Sequence, residues 1–151
     1  MRYASYMSAV VVAILSLAGS PASVSASERP FLLQGSGQLN VDATGAGTFT
    51  ASGQATYLGH WTNEGTIQFA PGANPGTLSA EGEVVFTAAN GDELYATIEG
   101  VLDLTTGVAG ATFTIVGGTG RFASAGGKAD SVILQSPDGS FTFSMEGTIE
   151  K

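Results

Sequence analysis

Apolar side chains recur at every second position along most of the chain, the period of a strand with one face buried. Phe31, Leu33, Leu39 and Val41 share one parity, interrupted by Gly35 and Gly37. After a turn over 42–47, Phe49, Ala51, Ala55 and Tyr57 resume the pattern. Ile67 and Phe69 mark a third strand, and Val84, Phe86 and Ala88 a fourth. Leu94, Ala96, Ile98 and Leu102 then alternate with Tyr95, Thr97, Glu99 and Asp103. Phe113 and Ile115 predict a sixth strand, with Val132 and Leu134 as the buried positions of a seventh. The cleanest alternation is the last, where Phe141, Phe143, Met145 and Ile149 interleave with Thr142, Ser144, Glu146 and Thr148. Between these runs stand turn formers. Asn90-Gly91-Asp92 suits a tight type I′ hairpin, Pro137-Asp138-Gly139 presets another, and Thr105-Thr106-Gly107 reads as a third.

No segment sustains a 3.6-residue apolar period, and glycine is too frequent for helices. Eight short strands joined by short turns predict an all-β antiparallel meander. Such a sheet disposes of its edges by folding into a sandwich or closing as a barrel. Gly53, Gly82, Gly100 and Gly147 lie inside strands, where closure demands bends, so an eight-stranded antiparallel β-barrel is favoured. A barrel of that size is filled by its own side chains or holds one small ligand.

The N-terminal stretch breaks the pattern. Arg2 precedes an apolar run over 9–18, Gly19, Ser20 and Pro21 end it, and Val24-Ser25-Ala26 offers a peptidase site. This predicts a signal-peptide helix over 1–26, cleaved after Ala26, and a single barrel domain over 27–151. The apolar run rises only ~15 Å as helix, half the hydrocarbon core of a bilayer, so no membrane anchor is expected after cleavage. The expected destination is the periplasm or the extracellular space.

Composition narrows the partners. Five Lys and Arg stand against thirteen Asp and Glu, for a net charge of −8. Nucleic acid is not an expected partner, because phosphate binding needs a basic footprint. With Cys 0 there are no disulfides, thiolate metal sites or Cys nucleophiles, and core packing must hold the fold.

Three groups of residues invite a chemical reading. Gly118-Thr119-Gly120-Arg121-Phe122-Ala123 matches a dinucleotide fingerprint, but the residues after it are Gly-rich and then strand-like. The fingerprint works only where a helix begins. No cofactor is therefore expected; the glycines reverse the chain, Phe122 plugs one end of the core and Arg121 pairs with a carboxylate. The segment 57–65 gathers Tyr57, His60, Trp61 and Glu64. His60 is a candidate general base oriented by Glu64, with Trp61 and Tyr57 stacking on an apolar ligand; equally, Trp61 caps a barrel end and His60 sits on a wet loop. One His without Cys supports no zinc site. Within strands, Glu81, Glu83, Glu99, Asp103 and Glu146 interleave with apolar residues; Glu83, Glu99 and Glu146 are expected to face solvent unless a bulge inverts a strand.

The segment 57–65, the Ala89-Asn90-Gly91-Asp92 hairpin and Gly117-Gly118-Thr119-Gly120-Arg121-Phe122 together resemble the bacterial exported relatives of the allene oxide cyclase barrel, whose superfamily includes the plant dirigent proteins. The resemblance spans roughly 31–150 and its motifs look architectural. It implies an eight-stranded barrel with an apolar lumen, often assembled as a homotrimer. Three functions remain open. The barrel binds a small hydrophobic ligand in its lumen, with Tyr57, Trp61 and Phe122 near the mouth. Alternatively it is an isomerase or cyclase that fixes a hydrophobic substrate, or a structural or interaction barrel with a filled lumen.

Overall fold

Every strand pairs antiparallel with its sequence neighbour, and the last pairs back on the first, closing the barrel in the order β1 to β8. In the computed structural model, residues 28–151 are described; the expected signal-peptide helix over 1–26 lies outside them. The strands are β1 (Glu28–Val41), β2 (Ala46–Ala55), β3 (Gly59–Pro71), β4 (Thr77–Thr87), β5 (Glu93–Asp103), β6 (Val108–Gly118), β7 (Gly126–Gln135) and β8 (Ser140–Glu150). One 3-10 turn, Gly120–Phe122, interrupts the meander, and no α-helix follows the Gly-rich motif that precedes it. A dinucleotide therefore finds no helix N-terminus there.

The expected parity holds for most strands. Inward positions carry Phe, Leu, Ile, Val, Ala and Gly, while Thr, Ser, Gln and Glu cover the outer wall, including exposed Glu81, Glu83, Glu99 and Glu146. A lipid-spanning barrel has the reverse arrangement, so this wall faces water. β7 departs from expectation. Ala129, Ser131 and Ile133 face inward, opposite Gly147, Met145 and Phe143, so Val132 and Leu134 lie on the outer wall. Both faces of β7 are half apolar, and period-two alternation alone does not choose between them; pairing with β8 does. Val41 keeps the inward parity but runs past the rim and is 46% exposed.

The hairpins also differ in type. Asn90-Gly91-Asp92 is not a type I′ turn, because only Gly91 has positive φ, at 92°. Its amide donates to the Ala88 carbonyl at 2.9 Å, and the Ala88 amide donates to Asp92 at 2.8 Å. The same device closes β1–β2, with Gly45 donating to Asp42, and β7–β8, with Gly139 donating to Ser136. It is the three-residue loop in which a type I turn ends on a left-handed glycine. Asp42 and Asp138 brace their loops by accepting from Thr44 and Ser140, through both hydroxyl and amide.

The two ends of the barrel are unlike. The largest fully buried side chains, Phe31, Leu58, Trp61, Phe86, Leu94, Phe122 and Ile149, all lie at the end where β1 begins and β8 finishes. Phe122 plugs that end as expected, at 0% exposure. Arg121 packs over the Phe122 ring at 4.9 Å, donates to the Tyr57 carbonyl and pairs with Asp92 at 3.7 Å, tying together the loops of the sealed end. Beneath the seal, Trp61 meets Phe86 and Phe143 edge-on at 5.3 and 5.6 Å. Its ring lies over Gly35, where an added Cβ would come within 2.5 Å of the indole and of the Ser52 carbonyl.

Gly35→Ala is accordingly expected to overpack the barrel and lower stability by about 1–3 kcal/mol, read from chemical denaturation. A second expectation concerns acid. Hydrogen bonds from the Thr44 hydroxyl and amide hold the Asp42 carboxyl below its ordinary value of 3.8, and those from the Ser140 hydroxyl and amide do the same for Asp138. A depressed native value contributes stability above the unfolded value and loses it as pH falls through the native one. Asp42→Asn with Asp138→Asn should therefore flatten the fall in thermal midpoint below about pH 4 and leave it pH-independent near neutrality.

Candidate functional site

The end where β1 turns into β2 stays open. Leu39, Phe69, Leu102 and Phe141 frame a cavity of about 70 Å³, and Phe143 and Asn63 lie deeper within it. On β3, Asn63, Ile67 and Phe69 all point inward, and Asn63 is the one farthest from the mouth. It therefore sits at the cavity's floor. Asn63 is 6% exposed, and its Oδ1 has no hydrogen-bond partner. An unmet buried acceptor costs ~1–3 kcal/mol; Asn63 and Gln135 are the two polar residues in a lining that is otherwise apolar. Apart from Arg29, which has the inward parity at the exposed start of β1, no Asp, Glu, Lys, Arg or His of the described strands occupies an inward position.

The residues singled out from sequence fall elsewhere. Trp61 and Phe122 are each 0% exposed and belong to the packed core of the sealed end. Tyr57 is in the β2–β3 turn with φ of 67°, its ring under the Lys151 ammonium at 4.2 Å. None of the three borders the cavity. The expected ligand mouth is thus the barrel's stopper, and the opening is at the other end. The reason is local: the connections that carry Tyr57 and Phe122 are those the fold uses to close itself.

His60 and Glu64 both project from the outer face of β3 and are exposed. Four residues along a strand separate them by ~13 Å, too far for one to orient the other. The contact His60 makes is across the sheet, where its Nδ1 lies 3.2 Å from the Gln54 side-chain nitrogen. Among the described residues, no group of three or more His, Cys, Asp and Glu is arranged to hold a metal ion. No catalytic pair or metal centre is assembled at the cavity.

Asn63 was legible in one respect. It is a polar residue on the inward parity of Trp61, Ile67 and Phe69, two positions from Trp61. No protein-family model and no curated protein sequence matches the chain. The chemistry of the site therefore rests on its geometry.

An apolar isostere at the floor removes an unmet acceptor without leaving a hole. Asn63→Leu is expected to stabilise the empty protein by about 1 kcal/mol, seen as a higher denaturation midpoint at unchanged slope.

Proposed function

We infer that this protein is a binding module, an exported barrel that takes the apolar tip of a small hydrophobic ligand into the open end of its lumen. The observation that carries the reading is the cavity itself: lined by apolar residues apart from Gln135 and Asn63, open on one side only, and floored by a buried Asn63 Oδ1 that lacks a donor. A ligand group donating one hydrogen bond there removes the penalty of the unmet acceptor.

Size sets what can enter. A volume of about 70 Å³ holds two or three methylene-sized groups, taking ~30 Å³ as a water molecule's share of liquid. At ~0.8 kcal/mol each, such a tip gains about 2 kcal/mol from burial, so isolated fragments bind weakly. Chambers that enclose a whole substrate run from ~300 Å³ upward. This favours recognition of a tip over cyclisation of an engulfed substrate. Eight antiparallel strands in a closed barrel support the resemblance to the allene oxide cyclase barrel; the trimer that resemblance implies belongs to the same reading.

Trp61 is the chain's single Trp and packs on Phe143 at the cavity floor, so its fluorescence reports on occupancy. Titration with ethanol, whose two carbons and hydroxyl match that volume, followed by tryptophan emission and amide NMR, should shift Asn63, Leu102 and Phe141 as the alcohol concentration rises. Ala109→Leu, which fills the mouth, should abolish those shifts while preserving the fold. Saturable shifts mapping to another part of the barrel, or none, would overturn the reading.

A further inference from the structure

The open end is encircled by four loops joined in a belt of backbone hydrogen bonds. Each loop ends on a glycine in the left-handed region: Gly45, Gly76, Gly107 and Gly139. The carbonyl of each accepts from the next hairpin around the rim. Gly45 takes the Phe69 amide at 2.9 Å, Gly76 that of Leu104 at 2.9 Å, Gly107 that of Gln135 at 2.9 Å and Gly139 that of Leu39 at 2.8 Å. The last bond returns to β1, so the belt closes on itself. Phe69, Gln135 and Leu39 also line the lumen cavity. Movement of the belt therefore moves the mouth.

Three of the four loops are braced by an aspartate whose Oδ1 accepts from the amide two residues on. The distances are 2.8 Å from Thr44 to Asp42, 2.8 Å from Thr105 to Asp103 and 2.9 Å from Ser140 to Asp138. The Thr44 and Ser140 hydroxyls each add a bond of 2.6 Å. In the β4–β5 loop at the sealed end a neutral group does this work, Asn90 Oδ1 accepting from the Asp92 amide at 3.0 Å. Hydrogen bonds to an ionised carboxylate are about twice as strong as those to a neutral acceptor, so protonation slackens an aspartate brace and leaves an asparagine brace unchanged. The side chains reaching the Asp42 and Asp138 loops from β3 and β1, Gln68 and Gln38, are neutral. Glu81 and Glu83 on β4 share an outer depression with Asp42, and Glu64 on β3 shares one with Ser140. The described Arg29, Arg121, Lys128, Lys151 and His60 all lie toward the sealed end. With only acids nearby, the lowered values of Asp42 and Asp138 come from their loop hydrogen bonds.

We propose that the belt is an acid-operated gate of the lumen site, holding Leu39 and Phe69 in the frame of the mouth until protonation of the rim aspartates lets both move aside and the ligand leave. This rests on the lumen-binding reading and adds its control. The linkage is short. Asp138 braces the loop whose Gly139 holds the Leu39 amide, and Asp42 braces the loop whose Gly45 holds the Phe69 amide. Both carboxyls have native values below the ordinary 3.8. The braces therefore hold above about pH 4 and fail as pH falls through the native values. Leu39 and Phe69 are only partly buried, so the rim opens at less cost than the sealed end, where Trp61 and Phe122 are fully buried.

The test compares amide hydrogen exchange and ethanol titration at about pH 6 and about pH 3, either side of that window. Ethanol does not titrate there, so a change in its affinity belongs to the protein. At the lower pH the Leu39 and Phe69 amides should lose their protection, after correction for the intrinsic exchange rate. Ethanol affinity should fall at least about threefold, because the closed mouth is then a minority state. The Ala89 amide, which donates to the Leu58 carbonyl at the sealed end, should stay protected. Asp42→Asn should abolish the response at Phe69 alone and Asp138→Asn the response at Leu39 alone, since asparagine braces a loop at either pH. In the double variant ethanol affinity should be independent of pH. Protection unchanged by acid in the wild type, a response that survives in its matching variant, or loss of Ala89 protection together with the rim would overturn the gate. Ethanol shifts at Asn63, Leu102 and Phe141 that are indifferent to pH would overturn the gate and leave the lumen reading standing. Absence of those shifts at the higher pH would overturn both.

Discussion

The asymmetry of this barrel follows from how one end is filled. Trp61 can lie flat across the lumen because Gly35 presents no side chain beneath it. Its edge contacts to Phe86 and Phe143 fix the ring, and Phe122 seats above with no surface left to solvent. Burial of side chains this large is worth several kcal/mol each and supplies much of the core of a chain that has no disulfide to draw on. With that volume committed to one end, less remains for the other. The inward residues there (Leu39, Phe49, Ile67, Phe69, Phe141) are only partly buried, and the cavity is the space they leave.

Sealing also explains the fate of the motifs. The Arg121 guanidinium reaches the turn carrying Tyr57 and the hairpin carrying Asp92, while Thr119 exchanges hydrogen bonds with the Glu93 backbone through its amide and its hydroxyl. The three segments most distinctive in the sequence therefore meet in one structural unit. Their glycines and aromatics serve closure.

The alternation of apolar residues carried the strand count and, with the glycines inside strands, the barrel over the sandwich. It also carried the outward direction of Glu83, Glu99 and Glu146. It failed on β7 because Val132 and Leu134 make an apolar outer face, and only their register against β8 shows which side is buried. The site was harder to read than the fold. Catalytic residue types such as His60 and Glu64 attract attention by identity, whereas a lumen site is defined by which end stays open. That depends on packing between residues far apart in sequence, such as Trp61 and Gly35. Asn63 could be seen as misplaced on its strand, but its unmet acceptor is a property of the assembled lumen.

Where the sequence agrees with the fold at every level, a residue reports on structure; where it breaks a local rule without visible return, function is the natural cause. Two such breaks stand out. Asn63 sets an unpaired oxygen in an apolar lining, and Glu81–Glu99 with Asp130–Glu146 sets like charges face to face on a water-exposed wall. Neither is needed to close the barrel, since Leu at the first or Gln at the second would serve packing and solubility as well. They lie on opposite sides of the wall and involve different strands, with β4 to β8 carrying the acids and β3 the amide. Gly100 and Gly110 thin the wall between the lumen cavity and an outer depression, and they border both. A side chain introduced at Gly110 therefore bears on both faces of the wall.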